Sequence, residues 1–144
     1  MINRRYTVNN PSKTHGFVGT VSFHQNGDGR NFTVDEDFRF ITTSGLRIVV
    51  PKGFVTDLAS TPRPIWFLLP PCGCYTDAAI VHDFCYRNKG VVSPIFHTLS
   101  RRESDSVLLQ GMRDRNTPSW QIFTIYWAVR LFGWIPWRRH QGEK

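Results

Sequence analysis

Apolar and polar residues alternate through much of the first third of the chain. Over the last half, apolar residues recur at three- and four-residue spacing, and this change of period predicts an α+β fold. Residues 1–16 are polar and aperiodic, so an N-terminal arm is expected there. Residues 17–54 read as a small antiparallel β-sheet. Phe17–Phe23 is a strand, Gln25–Gly29 a turn cluster, and Phe32, Val34, Phe38 and Phe40 flank the acidic triplet Asp35–Asp37. Thr43-Ser44-Gly45 is a hairpin turn, and Leu46–Val50 is a strand that ends at Pro51. Residues 55–75 form a proline-rich connector carrying Pro62, Pro64, Pro70 and Pro71.

Residues 76–137 are expected to hold three helices. Thr76 can cap the first, which runs from Asp77 to about Arg87, with Asp77 in its first turn. A loop then leads to Ser100-Arg101-Arg102-Glu103, which has the S-x-x-E form of a capping box and starts a second helix ending near Arg113 to Arg115. Thr117-Pro118 starts the third at Ser119; it runs to about Phe132 and stops at Gly133 and Pro136, leaving 138–144 as a basic tail. One domain accounts for the 144 residues.

The helical faces carry the candidate chemistry. His82 and Tyr86 are one turn apart and share the face of Ala78, Val81 and Cys85. On the second helix, Asp105 lies on the stripe of Leu108, Leu109 and Met112. A carboxylate buried without donors costs several kcal/mol, so Asp105 needs partners, and His82 and Tyr86 on the facing helix can supply them. A His82–Asp105–Tyr86 cluster is therefore expected, in which Asp105 fixes the His82 tautomer and leaves the other ring nitrogen as a base. Asp83, about 100° around the helix, is placed to ligate a hard cation such as Ca²⁺. Asp57 is a second cation ligand, a partner that holds His82, or the start of an Asx turn before Ala59-Ser60. Ser60 reads as a turn hydroxyl, since A-S-T-P is not a nucleophile elbow.

His82-Asp83-Phe84-Cys85-Tyr86 has the spelling H-D-x-C-Y and resembles the active-site helix of secretory phospholipases A2. That resemblance implies an antiparallel helix pair with His82 as general base, Asp83 as Ca²⁺ ligand, and Asp105 and Tyr86 as the supporting network. The disulfide framework and the glycine-rich calcium loop of that family are not recognisable. A second resemblance covers more of the chain. Gly53-Phe54-x-Thr56-Asp57-x-Ala59-Ser60 with Pro62, His82-Asp83-x-x-Tyr86, Arg101-x-x-x-Asp105 and Arg130-x-Phe132-Gly133 resemble a phage and prophage family of unknown function. This implies a viral or prophage origin, with the virion or the infected bacterial cytoplasm as its place. His82-Asp83 also has the form of the metal dyad of HD-type phosphohydrolases, but the upstream histidines, His15 and His24, are poorly placed for it.

Composition narrows the partners. Lys and Arg number 18 against 11 Asp and Glu, a net charge of +7. The cations are dispersed, mostly Arg, with no nucleic-acid signature, which argues against that partner. There is no apolar run at the start to act as a secretory signal. Cys72, Cys74 and Cys85 are too few and too close for a zinc site and read as structural thiols. His97 and His140 read as solvated. The helix from Trp120 to Phe132 has almost no polar face. It either closes the core, touches a membrane interface, or docks a protein or second copy; Arg130 argues against a span. Two functions remain open. One is a phage-encoded phospholipase-A2-like or esterase hydrolase acting on a phospholipid or ester. The other is a non-enzymatic virion (tail or capsid) or accessory component in which the His–Asp–Tyr cluster is structural.

Overall fold

A computed structural model describes residues 3–8, 13–57, 75–88, 91–92 and 97–142. The element order is β1 (Asn3–Val8), β2 (Gly16–Gln25), β3 (Phe32–Val34), β4 (Phe38–Ile41), β5 (Arg47–Val50), β6 (Val55–Thr56), α1 (Thr76–Arg87), β7 (Val91–Val92), β8 (His97–Thr98), α2 (Arg101–Asp114), α3 (Ser119–Phe132) and α4 (Trp134–Gly142). The chain is α+β, an N-terminal antiparallel sheet followed by helices.

β2 is the hub of the sheet. Its first residues, Gly16–Val18, pair with β4, its middle with β1, and Phe23–Gln25 with β3. β5 extends the sheet beyond β4 and β6 extends it beyond β3, giving the order β5-β4-β2-β3-β6. Alternation places Phe32 and Val34, Phe38 and Phe40, and Ile48 and Val50 inward. Phe17 meets Phe40 edge-on at 5.0 Å between ring centroids.

α1 is buried on nearly all sides, because it lies between the sheet and the other helices; even Asp77, His82 and Asp83 are inside. Asp77 lies against Arg115, Ala78 against Gly111 and His82 against Asp105, so α1 and α2 run antiparallel. The two helices approach closely at Gly111, where a Cβ would stand 2.7 Å from that of Ala78.

Several expectations are corrected. The N-terminal arm is a strand over Asn3–Val8, held by full pairing with residues 19–24 of β2. Thr76 lies inside α1 rather than capping it; Tyr75 occupies the cap position without a side-chain cap bond. The loop before α2 contains a short hairpin, β7 with β8. The capping box at Ser100 and Glu103 forms as expected, with Glu103 N donating to Ser100 Oγ and Ser100 N to Glu103 Oε2. A fourth helix follows Gly133 and takes in part of the expected basic tail. Pro136 does not stop it, because a proline in the first helical turn forgoes no intrahelical bond. Core closure by α3 is only partial: Gln121, Ile125, Ala128 and Val129 are buried, while Trp120, Phe123, Trp127, Leu131 and Phe132 are exposed. No helix among the described residues is long and apolar enough to cross a membrane. The connector prolines, Ser60, Cys72 and Cys74 lie outside the described residues, as do the side chains of His97 and His140.

Candidate functional site

The i, i+4 spacing on α1 sets the rings of His82 and Tyr86 4.2 Å apart, and α2 presents Asp105 to both. His82 Nε2 is 2.9 Å from Asp105 Oδ1, and the Tyr86 hydroxyl donates to the same oxygen at 2.5 Å. The three expected residues are brought together. All are sealed: His82 is 1% exposed, Tyr86 and Asp105 0%.

Two further partners complete the cluster. Arg130 on α3 donates from Nη1 to Asp105 Oδ2 at 2.6 Å, and Arg101, one turn before Asp105, lies 3.5 Å from that oxygen. Arg101 also donates to the Arg130 carbonyl at 3.3 Å, placing a cation at the carbonyl end of α3. Burial alone would raise the Asp105 pKa. The hydrogen bond and charge of His82, with bonds from Tyr86 and Arg130, outweigh it and hold Asp105 below the ordinary carboxylate value. Tyr86 is pushed well above the usual phenol range, first by burial and then by the Asp105 charge. Trp137 of α4 packs edge-on against Tyr86 at 5.0 Å. Gly133 leaves the room this needs, since a Cβ there would stand 2.8 Å from the Tyr86 hydroxyl.

Arg101, Arg130 and Gly133 were not singled out as site residues from sequence. The signals were present: an Arg four residues before a buried Asp, and a lone cation in an otherwise apolar helix.

Asp83 belongs to a neighbouring network. Its Oδ2 accepts from the Thr56 hydroxyl of β6 and from Arg87 Nε at 2.7 Å, and Arg87 Nη2 reaches Asp57 Oδ1 at 2.9 Å. The two expected calcium ligands are thus bridged by a guanidinium, which supplies the positive charge a cation would bring. In this arrangement the residues do not fit a calcium site. No group of three His, Cys, Asp or Glu among the described residues is placed to hold a metal. His24, the upstream histidine weighed for an HD-type site, pairs with Asp35 at 2.6 Å. Cys85 is a buried free thiol, pushed up to about 12 by burial and the Asp83 charge. It is inert in that state.

A third carboxylate, in the first turn of α1, is also buried. Asp77 is 0% exposed and lies 2.8 Å from Arg115 Nε and 3.9 Å from Arg4 Nε. Burial raises its pKa in spite of both cations. Arg115 stacks over Tyr6 at 3.9 Å, which ties β1 to the end of α2.

Residues 32–129 match the family described as protein of unknown function (DUF1353). The chain belongs to that family. The matched segment takes in Asp57, His82, Asp83, Tyr86, Arg101 and Asp105, so both polar networks fall almost wholly within it. An uncharacterized protein, y4jT, from Sinorhizobium fredii is 33% identical over 104 residues. Those residues are 71% of this chain and 29% of that relative, so the DUF1353 chain spans less than a third of its relative's length. No solved structure matches significantly.

Two open concavities among the described residues lie away from this cluster. A groove of about 520 Å³ runs between the Thr42–Leu46 hairpin and Glu103, Ser106 and Gln110 of α2. A second, of about 380 Å³, lies by His15, Arg113 and Asp114. Neither is lined by His82, Asp83 or Asp105.

Proposed function

We propose that this DUF1353 chain is a non-enzymatic accessory module. In this reading the His82–Asp105–Tyr86 cluster is a structural clamp, and the exposed apolar face of α3 and α4 is the working surface. The observation that carries it is the satisfaction of Asp105: a wholly buried carboxylate takes hydrogen bonds from α1 and α3 and an ion pair from Arg101 of α2, and His82 is sealed with it. Such a network fixes how three helices meet. A base must also reach the proton it takes, and His82 is buried with its carboxylate. The phage or prophage setting, with a place in the virion or the host cytoplasm, belongs to this reading. Recovery at fixed stoichiometry in purified particles would support it.

A second reading keeps one observation in its favour. His82 Nε2, Asp105 and Tyr86 have the mutual geometry expected of a phospholipase-A2-like hydrolase, in which His82 Nδ1 would take a proton from water. Because Arg87 bridges Asp83 and Asp57, no step of that mechanism is assigned to calcium.

The two are separated by assaying the purified chain and a His82→Gln variant on phospholipid and simple ester substrates, with and without Ca²⁺. The accessory reading expects no hydrolysis in any arm. Turnover lost with His82→Gln, while the variant remains folded, would overturn it.

A further inference from the structure

The exposed face of α3 is a continuous apolar stripe. Trp120, Phe123, Trp127 and Leu131 follow one another at three- and four-residue spacing and are 57%, 67%, 49% and 62% exposed. Trp134 and Ile135, 46% and 45% exposed, continue the apolar surface onto α4. The opposite side of α3 is held in the core by Ile125 and Val129, so the stripe is not a helix waiting to turn inward. An exposed apolar surface of this kind marks an interaction site.

Charge chooses the occupant. From Ser119 to Gly142 there is no Asp or Glu, while Arg130, Arg138 and Arg139 fall in the same stretch. Arg130 is engaged by Asp105, but Arg138 and Arg139 are exposed, and Arg138 lies 5.3 Å from the Trp134 ring. A second copy packed on this face would bring like charges together with no carboxylate from the segment to pair them, on chains of net charge +7 each. An anionic lipid surface complements both features. Arginines pair with its headgroups, and Trp120 and Trp134, at the two ends of the stripe, have the amphipathic rings that settle at the headgroup level, with Phe123 and Leu131 between them. At 14 residues, or about 21 Å, α3 is long enough to lie in the interface but not to cross it.

We infer that the α3–α4 face rests on an anionic phospholipid surface; this builds on the accessory-module reading and names its partner. The test is co-sedimentation of the full chain with phosphatidylcholine vesicles, with and without phosphatidylglycerol, alongside the Trp emission maximum and the solution mass. Phe123→Ser/Leu131→Ser should keep the fold, since both side chains are largely exposed. Arg138→Gln/Arg139→Gln tests the charge. Binding should be roughly tenfold or more tighter to the anionic vesicles, weaken with added salt, and be accompanied by a blue shift in Trp emission. The first variant should abolish it, and the second should remove the preference for phosphatidylglycerol. Failure of the native chain to bind either vesicle, or binding unchanged in Phe123→Ser/Leu131→Ser, overturns the lipid assignment. So does a dimer of the native chain that this variant dissociates, which would give the face to a second copy. None of these results touches the accessory reading, which falls only to His82-dependent hydrolysis.

Discussion

Arg130→Met tests the clamp most directly. The substitution keeps the apolar stem and removes a charged donor 2.6 Å from a carboxylate that is 0% exposed. A hydrogen bond to a charged group contributes about 1.5–3 kcal/mol, and removing one partner of a buried pair costs about 3–5 kcal/mol. Two features place this case toward the low end. The Arg130 side chain is 24% exposed, and Arg101 remains 3.5 Å from the same oxygen. The expected loss is about 2–3 kcal/mol at pH 7, read from urea unfolding with the slope m unchanged. Asp105→Asn should remove most of the benefit of Arg130, so the double variant should show a coupling of about 1–2 kcal/mol. The acid limb adds a second check. The folded pKa of Asp105 lies below its ordinary value, so its contribution is present above the unfolded pKa of about 3.9 and is lost as pH falls through the lower folded value. The stability curves of the native chain and Arg130→Met should therefore converge in acid. A loss below about 0.5 kcal/mol at pH 7, within the range of an ordinary surface substitution, would refute the clamp. So would a coupling near zero. A strained catalytic cluster predicts the opposite, since removing functional polar groups commonly leaves stability unchanged or raises it.

Other outcomes follow from the same contacts. Gly133→Ala should lose about 1–3 kcal/mol by chemical unfolding, because its Cβ would stand 2.8 Å from the Tyr86 hydroxyl and 2.4 Å from the Val129 carbonyl. Asp77 has a raised folded pKa, so its favourable contribution is full below the unfolded pKa and falls away as pH rises through the folded one. The thermal midpoint of the native chain relative to Asp77→Asn should accordingly move in the native chain's favour from pH 7 to pH 4; the reverse would show that Arg115 and Arg4 dominate. Millimolar Ca²⁺ should leave the native midpoint unchanged, since Arg87 already satisfies Asp83 and Asp57; a midpoint that climbs with Ca²⁺ concentration would restore the cation site.

The parts of this fold written in local signals were legible in the sequence. The S-x-x-E box at Ser100 and the Thr117-Pro118 start placed two helices, and the i, i+4 pair His82 and Tyr86, set against an Asp on an apolar stripe, located the cluster. What was missed depends on distant partners. Residues 3–8 carry too few apolar positions to read as a strand, and only pairing with β2 makes them one. Asp83 looked available because its helix face was known and its neighbours were not; Thr56 and Arg87 engage it. The sequence leaves α3 open between core, membrane interface and docking because apolar residues fill both its faces, and composition cannot say which face the rest of the chain covers. Arg130 was judged by its cost in a membrane, whereas its role is to reach a carboxylate on another helix.

The clamp and the exposed stripe are mechanically one feature. Arg130 reaches Asp105 from α3, Gly133 lets the chain pass the Tyr86 hydroxyl, and Trp137 packs on the Tyr86 ring, so the network that seals His82 also fixes the rotation of α3 and the start of α4. About 100° separates successive residues on a helix, so Trp127 and Leu131 lie about 160° around α3 from Ile125 and Val129, and even a partial roll would swing the stripe off its outward line while drawing Ile125 and Val129 out of the core. The polar cluster resists that roll because its bonds are directional, where apolar packing alone tolerates repacking. The face should therefore depend on residues that never touch its partner. Tyr86→Phe and Arg130→Met, compared where both remain folded, should weaken vesicle binding although neither residue belongs to the exposed apolar stripe. Full binding in both folded variants would show that apolar packing alone sets the helix and that the buried charge serves some other end.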